Sequence, residues 1–201
     1  MGKKRVKTKK YDLKPMQKKA GLADVAYEME QLFQSVAGIQ NTVRGRSPNI
    51  PGRPSPTVEV YLEGLLLHGR VLTEFFEHAK RSTRLIGKDH RAENADILAA
   101  DYDFRPKKIH LDRSIRDRLN KELAHLSYER TGKPWDIDQF FLPLLERCVE
   151  FAKSAVSGPV RAIIDDDPEQ VQRWSRLHTL LGTILHFTPR TPGRQVVERS
   201  P

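Results

Sequence analysis

Apolar side chains recur along this chain at the three- and four-residue spacing that is typical of amphipathic α-helices. This spacing predicts a first helix within residues 21–43 that ends near Gly38. It also predicts a second helix over residues 57–80, with one broad apolar face that includes His68. No segment alternates apolar and polar residues as a half-buried strand does, so the pattern predicts no β-sheet.

Three further helices are predicted in the second half of the chain. One spans about residues 112–130 and has Ile115 in its apolar stripe, and the next spans about residues 136–157. The last helix lies within residues 165–187. Its beginning is marked by Asp167 as the N-cap residue, which is followed directly by a proline at the first helical position.

The segments between and beyond these helices lack a helical pattern. Residues 44–56 hold four prolines and two glycines and are predicted to be a linker. Residues 82–109 are predicted to be a connection with one helical turn at residues 95–100, and residues 188–201 to be disordered. Residues 1–20 form a basic tail that we also expect to be disordered. The sequence therefore predicts an all-α bundle of four or five helices with a disordered tail at each end.

The net charge of +9 is concentrated at the N-terminus. Residues 1–19 contain nine Lys or Arg and one Asp, so residues 20–201 contain 26 basic and 25 acidic groups, or +1. A basic tail can bind the phosphate backbone of RNA, and it can equally be a solvated end that binds nothing. The tail residues predicted to contact nucleic acid are Lys3, Lys4, Arg5, Lys7, Lys9 and Lys10.

The composition argues against several classes of protein. No apolar run approaches the roughly 20 residues that cross a bilayer, and the N-terminus lacks the apolar segment of a secretory signal. We therefore expect a cytoplasmic protein without membrane contacts. The single cysteine, Cys148, lies in an apolar stripe, which indicates a core residue rather than a nucleophile. The acidic run at residues 165–167 is typical of a helix start, and we expect no metal site and no cofactor.

Arg118 and His125 are the two residues with the clearest chemical potential. They lie seven positions apart on the third predicted helix, which is close to two turns, so both project from one face. Cleavage of RNA by its own 2′-hydroxyl needs a base for that proton and a cation for the charge on phosphorus. The pair can supply both, although the same spacing also arises by chance on a highly charged helix.

Several neighbouring residues can assist the chemistry of this pair or pair with it in a purely structural role. Asn120 and Tyr128 can donate further hydrogen bonds, and Glu122 can orient the pair or simply neutralise it. His68 has two interpretations. It can face His125 across the bundle as a second acid or base, or it can be a core histidine bonded to a carbonyl or to a carboxylate of a neighbouring helix.

This arrangement resembles the HEPN family of helical bundles. The family signature is an Arg followed four to six residues later by a His on a late helix, and six residues separate Arg118 from His125 here. Residues 66–76 and 119–126 are also similar to bacterial HEPN-like proteins. The resemblance covers about residues 57–157, the predicted core of the bundle.

The resemblance implies both a fold and a function. HEPN proteins commonly dimerise so that two motifs face one cleft, and many are metal-independent ribonucleases of toxin or phage-defence systems. We therefore expect a protein that acts on RNA, forms a homodimer and is controlled by an antitoxin-like protein. Leu119 stands where the family usually has a polar residue. The alternative is a non-catalytic helical module that binds a partner protein or itself.

Overall fold

The computed structural model describes residues 13–44, 56–77, 97–104, 109, 115 and 137–187. Within these ranges the chain forms four α-helices: α1 (Pro15–Arg44), α2 (Pro56–Glu77), α3 (Ile137–Ser157) and α4 (Pro168–Phe187). Two short 3₁₀ helices occupy Ala99–Tyr102 and Pro159–Ile163. These ranges contain no strand, which confirms the predicted all-α fold.

The observed helix bounds agree with most of the predicted ones. The helix predicted over residues 136–157 is observed over Ile137–Ser157, and residue 136 lies outside the described residues. The helix predicted over residues 112–130 lies outside the described residues apart from Ile115, which is helical and packs against the core. The interior of the predicted linker and residues 188–201 lie outside them too. No helix in the described ranges is long and apolar enough to cross a membrane.

Helix α1 begins at Pro15, so the predicted tail over residues 1–20 is wrong for residues 15–20. Proline suits the first helical position, where its missing N–H costs nothing. The side-chain oxygen of Gln17 accepts a hydrogen bond from the N–H of Lys14 at 2.9 Å, which is half of a capping box. Leu13 is buried just before this helix start. These are local signals, but the run of lysines around them resembles a disordered segment.

The predicted helix end near Gly38 is also wrong, because α1 continues to Arg44. Gly38 lies where α1 and α2 approach closely, and a Cβ atom there would overlap the ring of Tyr61. A similar contact occurs at Gly64 of α2, where an added Cβ would come within 2.7 Å of the Ser35 hydroxyl oxygen. Glycine therefore serves here to bring two helices together rather than to end one.

Aromatic rings form the centre of the core. Phe151 of α3 lies in the middle and is fully buried. Its ring contacts five others edge-on, with centroid distances of 5.0–6.0 Å. The five partners are Phe75, Phe76, Tyr102, Phe104 and Trp174. These rings join α2, α3, α4 and the segment at residues 97–104 into one core.

The short turn that was predicted at residues 95–100 is a 3₁₀ helix at Ala99–Tyr102. Tyr102 attaches this turn to α1, because its hydroxyl donates a hydrogen bond to the carbonyl of Lys18 at 3.0 Å. Burial is the main cause that raises the pKa of the Tyr102 hydroxyl, and the nearby negative charges of Asp101 and Asp24 raise it further. The hydroxyl therefore stays protonated and remains a donor over the physiological pH range.

Two sets of ionic contacts connect α1 to α4 and to the residues just before α4. Arg173 donates to both carboxylate oxygens of Glu30, at 2.8 and 2.7 Å, and to the carbonyl of Ala23 at 3.3 Å. This planar, two-bond pairing is the strongest geometry available to an Arg–carboxylate pair. Two residues before α4, Asp166 accepts a hydrogen bond from Lys19 at 3.0 Å.

Helix α4 begins as predicted, at Pro168, with Asp167 as its N-cap. The carboxylate of Asp167 accepts a hydrogen bond from the N–H of Gln170 at 3.1 Å. That backbone hydrogen bond is the main cause that lowers the pKa of Asp167 below its ordinary value, and the contact with Lys19 lowers it further. Within the acidic run, Asp167 therefore serves the helix start as predicted, whereas Asp166 pairs with Lys19 and Asp165 pairs with Arg161.

Candidate functional site

The predicted catalytic pair lies outside the described residues. The same is true of the other candidates on that helix and of the basic residues in the tail. These residues are Arg118, Asn120, Glu122, His125 and Tyr128, with Lys3, Lys4, Arg5, Lys7, Lys9 and Lys10 in the tail. Their arrangement stays a prediction, and His68 is the predicted site residue that the structure places.

His68 lies on α2 and is bonded to a carboxylate of α1. Its Nδ1 atom is 2.7 Å from Oε2 of Glu28, and the two side chains are 16% and 23% exposed. An ionised carboxylate can only accept, so the Nδ1 atom carries the hydrogen of this bond. The interpretation of His68 as a histidine that is paired with a carboxylate of a neighbouring helix is therefore confirmed.

The bond through Nδ1 leaves the Nε2 atom of His68 on the other side of the ring. With hydrogen on Nδ1, the neutral imidazole presents Nε2 as an acceptor that can take a proton. The carboxylate fixes the tautomer and the orientation of the ring. His68 and Glu28 therefore form a dyad that can act as a general base through Nε2.

The dyad lies at the seam between α1 and α2, close to the surface. The ring of Tyr27 meets the His68 imidazole edge-on, with 6.3 Å between the ring centroids, and Tyr27 is half exposed. Leu67 and Val71, which flank His68 on α2, are 51% and 41% exposed. The imidazole therefore lies beside a half-exposed aromatic ring and two partly exposed aliphatic side chains.

Sequence reasoning missed Glu28 as the partner of His68. The two residues are 40 positions apart, and no spacing rule within one helix connects them. Glu28 is one of several acidic residues on α1, and each fits a solvated helix face equally well. The close approach of α1 and α2 selects Glu28 among them.

Two other polar or reactive side chains in the described ranges are engaged in structure. Arg147 of α3 is buried, but Glu146 and Glu150 of the same helix pair with it, so its charge is balanced. Cys148 is fully buried, and burial raises the pKa of its thiol. A buried, protonated thiol is a poor nucleophile, which confirms Cys148 as a core residue.

No protein-family model matches this chain, and neither a curated protein nor a solved structure matches it significantly. The expected resemblance to HEPN proteins is therefore not tested by these comparisons, and it depends chiefly on Arg118 and His125 in the sequence. The helical bundle itself is shared by many unrelated activities, so the fold alone does not assign a function.

Proposed function

We propose that this chain is a HEPN-like protein that acts on RNA as a metal-independent endoribonuclease of a toxin or defence system. The observation that carries the proposal is the spacing of Arg118 and His125, which puts a permanent cation and a titratable base on one face of a predicted helix. The all-α bundle of the described residues is the type of fold in which such a motif occurs.

The proposed roles follow from the chemistry of the two side chains. His125 removes the proton of an RNA 2′-hydroxyl, and the oxygen attacks the adjacent phosphorus. A bond forms between O2′ and phosphorus while the bond to the 5′-oxygen breaks, and the leaving oxygen takes up a proton. Arg118 binds the phosphate oxygens and offsets the negative charge that builds up on them. The products are a 2′,3′-cyclic phosphate and a 5′-hydroxyl end.

His68 is the candidate for the second proton transfer. Its imidazole is oriented by Glu28, and its Nε2 atom is the side of the ring that is not used in that bond. A reaction of this kind needs one group that accepts a proton and one that returns a proton to the leaving oxygen. The tail lysines raise the local concentration of RNA in a salt-dependent way.

The direct test is RNA cleavage by the purified full chain in the presence of a metal chelator. We expect wild-type protein to cleave single-stranded or transfer RNA, and His125→Ala to abolish cleavage. The matched control is His178→Ala, on α4, which removes a half-buried histidine outside the proposed site. Equal activity of wild type and His125→Ala would refute the assignment.

A second candidate function is a non-catalytic module that associates with its own copy. The observation that favours it is an apolar strip along the outer face of α2, which we call the α2 strip and which consists of Val60, Leu67 and Val71. The three residues share one face because they are seven and four positions apart. Arg70 and Glu74 on the same helix pair with each other at 3.1 Å, so no unbalanced charge of these two residues opposes burial of the strip against a second copy.

Sedimentation of the wild type beside Leu67→Glu, combined with RNA cleavage by both proteins, separates the two candidate functions, because a dimer alone is expected of either. Self-association through the α2 strip predicts a dimer that Leu67→Glu converts to a monomer. The matched control is Leu180→Glu, because Leu180 is a similarly exposed leucine on α4. A monomeric wild type with RNA-cleaving activity would contradict the module and favour the enzyme.

A further inference from the structure

An open cavity of about 610 Å³ lies beside the first turns of α1 and the 3₁₀ helix Pro159–Ile163. This volume falls in the usual range for small-molecule sites. The cavity has an apolar wall and a charged edge. The wall includes Leu13, Met16 and Ile163, and the edge includes Lys18, Lys19 and Asp166.

The charged edge is not balanced within the described part of the chain. Lys19 lies between two carboxylates, 3.0 Å from Asp166 and 3.4 Å from Asp167, so its charge is compensated. Lys18 lines the same cavity, and Lys14 lies between two lining residues in the sequence. Neither of these two lysines has an ion-pair partner among the described residues. The cavity edge therefore offers a cation to an anionic ligand.

The apolar wall is also unusual, because Met16 is 80% exposed on the first turn of α1. It is the most exposed of the large apolar side chains in the described ranges. A thioether beside an isoleucine makes favourable contacts with flat aromatic ligands, and methionine adapts to their shape. A ligand with an aromatic part would cover Met16 and Ile163 together.

We propose that this cavity binds one nucleotide of an RNA strand. The base packs against Met16 and Ile163, the carboxylate of Asp166 accepts a hydrogen bond from a base N–H group, and Lys18 binds the phosphate. The choice of ligand rests on the proposed action on RNA. The site consists of residues other than Arg118 and His125 and serves to hold the strand, not to cut it.

The combination of groups selects a nucleotide over simpler ligands. An apolar ligand would leave the ammonium group of Lys18 without a partner. A bare phosphate would make no use of the apolar wall and would meet the carboxylate of Asp166 unfavourably. A nucleotide has an aromatic base for the apolar wall, N–H donors for the carboxylate of Asp166 and a phosphate for the ammonium group of Lys18.

Methyl resonances of methionine provide a direct test in the full chain. The sequence has three methionines, and Met29 is fully buried in the core, so it is an internal control for Met16. We expect adenosine monophosphate and a short 2′-O-methyl RNA, which cannot be cleaved by its own 2′-oxygen, to shift the Met16 methyl signal saturably. The Met29 signal should stay in place.

Two charge variants test the phosphate contact. Lys18→Gln should raise the Kd for the 2′-O-methyl RNA by roughly 3–10-fold, as loss of a charge-assisted contact does. The matched control Lys153→Gln removes an exposed lysine from α3, and we expect it to change the Kd by less than about twofold. Equal weakening by both variants would indicate non-specific attraction and would overturn the site.

The outcomes separate this site from the proposed catalysis. A Met16 signal that does not respond to either ligand overturns the cavity, while His125-dependent cleavage in the same sample leaves the enzyme intact. A saturable Met16 shift without any cleavage supports the cavity and refutes the enzyme. If inorganic phosphate alone reproduces the Met16 shift, the site binds an anion without recognising a base, and the proposal fails.

Discussion

The imidazole of His68 on α2 and the carboxylate of Glu28 on α1 are joined by a hydrogen bond of 2.7 Å at the seam between the two helices. Both side chains are largely but not fully covered. The bond therefore has a structural effect, because it joins two helices, and a chemical effect, because it fixes the orientation of a histidine. Substitutions can separate the two effects.

His68→Ala removes this bond and leaves the Glu28 carboxylate without its partner. We expect a loss of about 1–2 kcal/mol in the free energy of unfolding, measured by urea denaturation. The double variant Glu28→Ala/His68→Ala should be more stable than the sum of the two single losses indicates, because each single change breaks the same bond. The control His178→Ala should cost about 0.5 kcal/mol or less. Strict additivity of the two single losses would contradict a direct bond in solution.

Two glycines in helix interiors should respond in opposite ways to the same change. At Gly182 of α4 an added Cβ meets nothing within 4 Å, so Gly182→Ala should stabilise the protein by about 0.5–1 kcal/mol. At Gly69 of α2 the added Cβ would overlap the ring of Phe140, which is fully buried and cannot move aside. Gly69→Ala should therefore destabilise by about 1–3 kcal/mol. Thermal unfolding of the two variants is the measurement, and stabilisation by both would contradict the close packing of α2 against α3.

The cap of α4 predicts a pH dependence of stability. The pKa of Asp167 is lowered below its ordinary value of 3.8, first by the N–H of Gln170. Its carboxylate therefore contributes stability that is fully present above that ordinary value and is lost as the pH falls through the lower folded-state pKa. Asp167→Asn keeps a capping side chain but removes the charge.

Urea denaturation of wild type and Asp167→Asn between pH 7 and pH 2 measures this contribution. We expect the variant to be less stable at pH 7, with the difference shrinking below about pH 4 as the wild-type carboxylate is protonated. Glu169→Gln is the control, since Glu169 lies in the same turn but its carboxylate does not cap the helix. A difference of the same size at pH 7 and pH 2 would show that the charge of Asp167 is not responsible.

Sequence reasoning succeeded where the signals were local. The start of α4 was predictable because Asp167 and Pro168 are adjacent and act on their own turn. The burial of Cys148 followed from the apolar stripe of one helix. The helical fold itself followed from the spacing of apolar residues, which the described helices confirm.

Prediction from the sequence failed where two segments that are distant along the chain meet. Gly38 suggested a helix end because nothing in its neighbourhood shows that the ring of Tyr61 occupies the space beside it. The partner of His68 could not be chosen among the acidic residues of α1 without the packing of α1 on α2. Both failures have one cause, which is that interhelical contacts are not encoded in the periodicity of either helix alone.

The most direct test of the central claim is a cleavage assay with the reaction products identified. Wild-type full chain and the double variant Arg118→Ala/His125→Ala are incubated with transfer RNA and a metal chelator, and the new RNA ends are analysed. The proposal predicts 2′,3′-cyclic phosphate and 5′-hydroxyl ends with the wild type and no cleavage above background with the double variant. Equal cleavage by both proteins, or none by either at any salt concentration that keeps the wild type folded, would contradict it.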